Sequence, residues 1–252
     1  MSTSARRAIL VTGSGSGIGA AIVQRLAGPD TAIMLHAKHN RAGCERAAKA
    51  AQALGAETAI ELCDLQVPGA GGKLVEAAVK AFGGLDVLVA NAGFPNRRVI
   101  GELTRADLDE LYGVVLAGFF DMATAAMPHL KKSRDGRVIT VSTHNAHVFR
   151  NDYPVYPGSG AIKLGLEAMT SAFAVQMAPF KVTVNSVVPG LIRKEEGTEQ
   201  FLSPEEWATL CSKVPLGRIG EQDEVAALVQ FLASKDAAYI TGQSVHINGG
   251  FI

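Results

Sequence analysis

The chain has 252 residues, a formal net charge of zero and hydrophobic side chains at 48% of its positions. A chain of this length buries about 70–75 % of its unfolded surface without needing a metal or a disulfide. Because acidic and basic residues balance, we expect no nucleic-acid partner.

The cysteines are Cys44, Cys63 and Cys211, which stand far apart and without the spacing of metal ligands. Such cysteines are typical of free thiols in a reducing compartment. The N-terminus runs directly into an apolar strand, which is not the pattern of a signal peptide. No apolar run approaches the ~20 residues of a membrane span. We therefore expect a soluble, cytoplasmic protein with no bound metal and no membrane partner.

Short apolar runs alternate with longer Ala- and Leu-rich stretches of helical period. The runs predict strands over residues 8–11, 32–35, 87–90, 137–141, 182–188 and 244–247. The stretches predict helices over residues 17–26, 42–54, 72–82, 106–129, 162–177 and 223–232. Several runs are apolar at consecutive positions, as in strands that are covered on both faces. The order predicts an α/β fold of Rossmann type, with a doubly wound parallel sheet in three layers.

One polar segment, residues 191–213, interrupts this alternation. It carries the helix start Ser203-Pro204-Glu205-Glu206. It follows the carboxyl end of a predicted strand, so we expect an insertion that covers the crevice where such sheets bind ligands. The alternative is an excursion over the surface. No linker or repeat is found, so residues 1–252 are predicted to form one domain.

A glycine-rich segment, residues 12–19, joins the first predicted strand to the first predicted helix. Glycine is needed where the chain turns tightly, where backbone approaches a pyrophosphate, and where helix meets strand. The N–H groups and positive dipole end of the helix then attract phosphates. The pattern predicts a dinucleotide site. Its residues are Gly13, Ser14, Ser16, Gly17, Ile18 and Gly19.

With these motifs the chain resembles the classical short-chain dehydrogenase/reductase family over essentially its whole length. The family's TGxxxGxG motif corresponds to residues 12–19, its Asp before a hydrophobic residue to Asp64-Leu65, and its NNAG motif to residues 90–93. Residues 185–190, 240–243 and 248–250 also match. The resemblance implies that Asp64 and Leu65 contact adenine and that the protein is a homo-oligomer, commonly a tetramer. It further implies cofactor contacts at Asn91, Ala92, Gly93, Lys163, Pro189, Gly190 and Ile192.

The choice of cofactor is made at the end of the second strand. An acidic side chain there would accept hydrogen bonds from a ribose 2′-OH and repel a 2′-phosphate. This chain has Ala37 where the family's NAD-selecting Asp falls, and Lys38 and Arg41 follow it. The sequence therefore favours NADP(H) over NAD(H), although the two basic residues are also compatible with a solvated loop.

The family's catalytic pattern is only partly present. In the family a Tyr passes the proton, a Lys four residues later lowers its pKa, a Ser polarises the carbonyl, and an Asn supports a water relay. Here Lys163 matches the Lys, but Ser159 occupies the Tyr position and Val115 the Asn position. Thr143 aligns with the Ser, and Ser142 lies beside it.

Two interpretations of the missing Tyr stay open. In the first, Tyr156 supplies the phenol. Seven residues of continuous helix would place it about 10.5 Å from Lys163 along the axis, but Pro157-Gly158 can delay the helix. In the second, Tyr156 only packs. His144 and His147 are alternative proton donors on the same loop. Arg97, Arg98 and Arg150 are either receptors for a substrate anion or ordinary surface charges.

The sequence thus predicts an NADP(H)-dependent oxidoreductase that interconverts a small carbonyl compound and its alcohol with a non-standard proton donor. Its predicted catalytic residues are Thr143, Ser142, Tyr156 and Lys163. The alternative is a redox-inactive dinucleotide-binding protein in which Lys163 still holds the ribose. A non-redox enzyme of dehalogenase type is disfavoured, because those relatives give up the glycine-rich phosphate site.

Overall fold

The computed structural model describes residues 6–194 and 203–251. Seven strands form one parallel sheet in the order β3-β2-β1-β4-β5-β6-β7. The strands are β1 (Arg7–Val11), β2 (Thr31–Ala37), β3 (Glu57–Leu62), β4 (Val87–Ala90), β5 (Arg137–Val141), β6 (Thr183–Pro189) and β7 (Ser244–Ile247). The order reverses between β1 and β4, which creates a crevice at their carboxyl ends. The predicted doubly wound parallel sheet is confirmed.

Helices cover both faces of the sheet. They are α1 (Gly17–Leu26), α2 (Arg41–Ala53), α3 (Ala70–Phe82), α4 (Arg105–Leu111), α5 (Gly118–Leu130), α6 (Pro157–Met177), α7 (Pro204–Ser212) and α8 (Gln222–Ala233). Helices α1, α2 and α8 bury one apolar cluster against the sheet. Helices α3, α5 and α6 bury a second cluster on the opposite face. The two clusters are the two interlayer cores of a three-layer fold.

Strand β3 is the one strand that the sequence analysis missed. Its sequence, ETAIEL, carries two glutamates, and its side chains are only half-buried or exposed. It lies at the edge of the sheet and pairs with β2 alone. An edge strand of this kind lacks the continuous apolar run by which the buried strands were recognised.

The predicted helix over 106–129 is one helical run from Arg105 to Leu130 that contains a π-helical turn at Tyr112–Ala117. By length and composition this run is apolar enough to cross a membrane, contrary to the sequence expectation. Its buried side chains pack in the core of the α3/α5/α6 face, including Phe119 and Met122. The run is thus the core helix of the fold.

Helix α6 begins at Pro157, five residues earlier than predicted, with Tyr156 as its N-cap. The idea that Pro157-Gly158 delay the helix is therefore wrong. Proline is favourable in the first helical turn because its missing N–H has no partner there and its φ is already helical. Ser159 consequently lies inside the first turn of α6, and Tyr156 lies just outside it.

Candidate cofactor and active site

A cavity of about 980 Å³ opens at the carboxyl ends of the central strands. The glycine-rich turn forms one end of its wall, and residues of β5, α6 and the segment after β6 form the other. Among its lining residues are Gly13, Ser16, Gly17, Ile18, Gly19, Asn91, Gly93, Thr143, Tyr156, Lys163, Pro189, Gly190 and Ile192. Trp207 and Leu210 of α7 also line it, while residues 195–202 of the predicted insertion lie outside the described part of the chain. The lining of this one cavity therefore includes both the glycine-rich turn and the predicted catalytic residues.

The glycines of the turn differ in what they make possible. Gly17 begins α1 with φ +57°, and a Cβ placed there would meet nothing within 4 Å. That open space lies at the N-terminus of a helix, where N–H groups and the helix dipole attract a phosphate. Gly19 has no such space, because its Cβ would lie 2.1 Å from the carbonyl oxygen of Gly13. Gly17 is therefore open toward a ligand, whereas Gly19 is required by packing.

His36, near the end of β2, holds the glycine-rich turn by hydrogen bonds. The sequence analysis did not single it out. Its Nδ1 accepts the N–H of Gly13 at 3.3 Å, and its Nε2 lies 3.0 Å from the carbonyl oxygen of Cys63. Ser14 is fully buried, and its hydroxyl accepts the His36 N–H at 2.9 Å. A polar residue near the end of an otherwise apolar, buried strand was the sequence signal for this tether.

Thr12 and Asn91 join the ends of β1 and β4 at the crevice. The Thr12 hydroxyl accepts the N–H groups of Asn91 and Ala92 at 3.1 and 3.0 Å. The Asn91 side-chain amide donates to the carbonyl oxygens of Thr12 and Gly13 at 3.0 and 3.1 Å. These four bonds hold the turn and the segment after β4 in fixed relation.

At the β2 end of the crevice, Lys38 pairs with Asp64, with 2.7 Å between Nζ and Oδ2. The hydrogen bond from Lys38 holds the pKa of the Asp64 carboxyl below its usual range. Leu65 is buried, whereas Arg41 is exposed at the start of α2. Lys38 and Asp64 are thus in contact, whereas none of Lys38, Arg41, Asp64 and Leu65 is among the residues that line the cavity.

Lys163 occupies the catalytic end of the cavity, on α6. Its Nζ donates to the carbonyl oxygen of Val141 at 2.5 Å and is close to Gly93, whose Cβ would lie 3.2 Å from it. Burial lowers the pKa of Lys163 to about 8, while the charge of Glu167 acts in the opposite direction. A buried ammonium with one carbonyl partner retains two donors for a ligand.

Ser142 and Thr143, at the end of β5, face different surroundings. The buried Ser142 hydroxyl donates to the carboxylate of Glu167, which also lies 2.9 Å from Nε2 of His147. The Thr143 hydroxyl accepts the N–H of Asn145 at 3.3 Å and borders the cavity. Both residues line the cavity, but the Ser142 hydroxyl already donates its proton to Glu167, whereas the contact of the Thr143 hydroxyl leaves its own proton for a ligand. Glu167, a buried acid in a helix, is another residue that the sequence analysis did not consider.

Ser159 stands where the family's Tyr is expected, and it holds the loop after β4. Its buried hydroxyl accepts the N–H of Asn96 at 2.8 Å. Tyr156 is half-buried at the N-cap of α6 and borders the cavity, with its ring 6.4 Å from that of Tyr153. Tyr153 is buried, also borders the cavity, and its hydroxyl lies 2.7 Å from Nε2 of His144. The sequence analysis named His144 but not Tyr153.

Two of the three candidate arginines are paired with carboxylates. Arg98 contacts both oxygens of Asp107 at 2.6 Å, and Arg150 contacts Asp152 at 2.9 Å. Arg97 borders the cavity. Of the three, Arg97 is the one that lines the cavity.

Comparison with known proteins places this arrangement in a family. A family model described as enoyl-(acyl carrier protein) reductase matches residues 13–252. A 3-oxoacyl-(acyl-carrier-protein) reductase FabG of Thermotoga maritima is 30% identical over 96% of both chains. The solved short-chain dehydrogenase/reductase of Serratia marcescens covers 97% of both chains at 31% identity, with a TM-score of 0.89. The chain belongs to the short-chain dehydrogenase/reductase family.

Two further relatives of this short-chain dehydrogenase/reductase have similar coverage. An uncharacterized oxidoreductase of Methylorubrum extorquens is 35% identical over 96% of both chains. A solved short-chain dehydrogenase of Burkholderia cenocepacia in complex with NADP covers 97% of both chains at 28% identity, with a TM-score of 0.88. The resemblance stated from the motifs is confirmed, and the chain is an oxidoreductase of this type.

We predict different outcomes for alanine at the two helix-start glycines. Gly17→Ala should fold, with a strain of about 1 kcal/mol at its positive φ, and should weaken NADPH binding at least ten-fold because the methyl group fills the phosphate space. Gly19→Ala should unfold several degrees lower because its methyl group collides with Gly13. Fluorescence titration and thermal unfolding measure both effects, with Gly28→Ala, whose Cβ meets nothing, as the control. Unchanged NADPH affinity in Gly17→Ala would contradict the assignment of the phosphate site.

We also predict that Lys163→Met stabilises the protein while removing cofactor affinity. The pKa of Lys163 falls from 10.5 to about 8 on folding, so the charged form is disfavoured in the native state. The native-state penalty is fully present below pH 8 and disappears as the pH rises past 10.5. It amounts to roughly 3 kcal/mol at pH 7 and less than about 1 kcal/mol at pH 10.

Loss of the hydrogen bond to Val141 offsets about 1 kcal/mol of this gain. Urea unfolding of the ligand-free protein at pH 7 and pH 10 tests the prediction. A Lys163→Met variant that is less stable than the wild type at pH 7 would show that the buried ammonium is not penalised.

Proposed function

We propose that this chain is an NADP(H)-dependent oxidoreductase that interconverts a small carbonyl compound and its alcohol by hydride transfer. The observation that carries the proposal is the single cavity that joins Gly17, at an open helix N-terminus, to Thr143 and Lys163 at its far end. A dinucleotide has its phosphates and its reactive nicotinamide at separate places, so it needs a site of this form.

The described residues fit such a cofactor. The position of a Cβ on Gly17 is open, so the phosphates can approach the backbone there. In this proposal Lys163 binds the nicotinamide ribose, and Asn91 holds the ends of β1 and β4 together. Bound NADP(H) supplies the hydride.

Thr143 and Lys163 are the residues that act on the substrate and ribose in this proposal. The Thr143 hydroxyl donates to the substrate oxygen, which draws charge from the carbonyl and favours hydride addition to its carbon. The Lys163 ammonium, buried and of low pKa, adds positive charge near the same oxygen. The proton comes from a phenol in the cavity wall, for which Tyr156 and Tyr153 are the two candidates. Ser142 supports Thr143 by anchoring the end of β5 to Glu167.

The preference for NADP(H) rests on the rim beside β2. Ala37 has no carboxylate to bind a ribose 2′-OH, and Lys38 lies next to it with its ammonium held on Asp64. A 2′-phosphate would share Lys38 with Asp64 and would meet Arg41 on the exposed start of α2. Bound NADP in the short-chain dehydrogenase of Burkholderia cenocepacia and in a 3-oxoacyl (acyl-carrier-protein) reductase of Agrobacterium tumefaciens supports this preference.

We also propose a cytoplasmic homo-oligomer, with a tetramer favoured by the family resemblance, and no nucleic-acid or membrane partner. Exposed apolar side chains on α5 and α6 support self-association, among them Phe120 and Val175.

We predict that NADPH binds at least ten-fold more tightly than NADH, because one charged phosphate contact contributes about 1.5–3 kcal/mol. The double variant Lys38→Ala/Arg41→Ala should lose this preference and leave NADH affinity unchanged within two-fold. Fluorescence titration of both cofactors measures it, with Lys73→Ala, an exposed lysine on α3, as the matched control. Equal affinity of the wild type for NADPH and NADH would refute the preference.

We predict turnover of at least one activated ketone or aldehyde in a panel assayed by the loss of NADPH absorbance. Lys163→Ala should lower both kcat and NADPH affinity, because the ammonium serves the ribose as well as the reacting oxygen. A wild-type protein that binds NADPH but turns over no carbonyl and no alcohol would favour the alternative, a redox-inactive dinucleotide-binding protein.

A further inference from the structure

Tyr153 and His144 form a hydrogen-bonded pair in the wall of the cavity. The Tyr153 hydroxyl lies 2.7 Å from Nε2 of His144, and both side chains are 6% exposed. His144 directly follows Thr143, the residue proposed to bind the substrate oxygen, and Tyr153 lies in the segment that leads into α6. The pair is therefore a phenol hydrogen-bonded to an imidazole, and both residues line the same cavity as Thr143.

The contacts of His144 determine the direction of this hydrogen bond. Its Nδ1 lies 3.2 Å from the carbonyl oxygen of Pro189, which can only accept, so Nδ1 carries the proton. Nε2 then has a lone pair and accepts the proton of the Tyr153 hydroxyl. Phe251 packs edge-on against both rings, at 5.6 Å from His144 and 5.0 Å from Tyr153, and fixes their orientation.

Resting on the proposed function, we infer that Tyr153 exchanges the proton with the substrate and that His144 receives it through Tyr153. In alcohol oxidation the substrate O–H bond breaks and its proton moves to the Tyr153 oxygen, while the Tyr153 proton moves to Nε2 of His144. The hydride leaves the substrate carbon for NADP⁺, and the carbonyl forms. His144 ends as an imidazolium whose two N–H groups donate to Pro189 and Tyr153. Carbonyl reduction runs through the same atoms in reverse and starts from His144 that has taken up a proton on Nε2.

The surroundings keep both members of the pair neutral in the resting state. Burial raises the pKa of the Tyr153 phenol, with Tyr156 adding to the rise and Arg97 opposing it, so an isolated phenolate is disfavoured. Burial also lowers the pKa of His144 to about 4, against the pull of the carbonyls of Pro189 and Gly190, so His144 is neutral at pH 7 with a lone pair on Nε2, and the imidazolium formed in oxidation is a short-lived acid. In the family pattern a nearby Lys stabilises the phenolate, whereas here a base takes its proton.

Tyr153 is better placed for this role than Tyr156. Tyr153 has a base at 2.7 Å, whereas the contact found for Tyr156 is a tilted ring contact with Tyr153 itself. Because α6 begins at Pro157, the seven residues from Tyr156 to Lys163 are helical and separate the two by about 10.5 Å along the helix axis. The position one turn before Lys163 is Ser159, whose hydroxyl is bonded to Asn96.

The test uses the best substrate of the carbonyl and alcohol panel with the full chain. Tyr153→Phe should lower kcat by about 10²–10⁴-fold in both directions, the usual contribution of general acid–base catalysis, while NADPH affinity changes less than two-fold. Tyr239→Phe, at a fully exposed tyrosine, is the matched control. His144→Gln, which keeps a hydrogen-bonding group but cannot take up a proton, should lose kcat to a similar degree, and its NADPH titration shows that the site is folded.

A chemical rescue separates proton transfer from packing. In His144→Ala, added imidazole should restore oxidation at least ten-fold, whereas pyrazole, a ring of the same size and a far weaker base, should not. Rescue by both rings would indicate a packing role and overturn the inference. So would full activity in Tyr153→Phe, or loss of activity confined to Tyr156→Phe, which would assign the phenol to Tyr156. An inactive wild type would refute the proposed function together with this inference, whereas an active wild type with unaffected variants refutes the inference alone.

Discussion

The site depends first on the hydrogen bonds between Thr12 and Asn91. A doubly wound sheet reverses its strand order between β1 and β4, and the crevice at this reversal has helices that diverge to either side. The Thr12 hydroxyl and the Asn91 amide bond the two strand ends together with four contacts of 3.0 to 3.1 Å. These contacts hold the glycine turn beside the segment after β4, in which Gly93 lies against Lys163. His36 holds the turn from the β2 side.

The second constraint is the burial of charge and hydrogen-bonding groups at the far end of the cavity. Lys163 is buried in the cavity wall with one carbonyl partner, and Glu167 lies one helical turn beyond it with Ser142 and His147 as partners. Such groups lower the free energy of unfolding compared with an apolar packing of the same size. This cost accords with the proposed binding role of Lys163, because its ammonium has one carbonyl partner and keeps two N–H groups that can donate to a ligand.

The catalytic end departs from the family pattern at the position of the proton-transferring Tyr. Ser159 replaces a phenol and takes a structural role on the loop after β4. The vacated role passes, in our inference, to a phenol from the segment before α6, because Tyr153 approaches the same cavity from another side. Its partner His144 directly follows Thr143 in the chain. The residue proposed to bind the substrate oxygen and the residue proposed to take up the proton are therefore neighbours in the sequence.

The sequence by itself determined the parallel sheet, the glycine turn and the family, because these depend on apolar runs, glycine spacing and motifs that are local in the chain. It also located Lys163, by its spacing in the sequence from the matching motif at residues 185–190. It could not determine the start of α6, because Pro157 and two glycines in the first turn are residues of low helix propensity. It also missed the edge strand β3. Only the tertiary structure brought Tyr153 to His144 and Ser142 to Glu167, since these contacts join residues 9 and 25 positions apart. Side-chain pairing across such separations depends on the angles at which elements pack, and the periodicity of a single segment does not encode those angles.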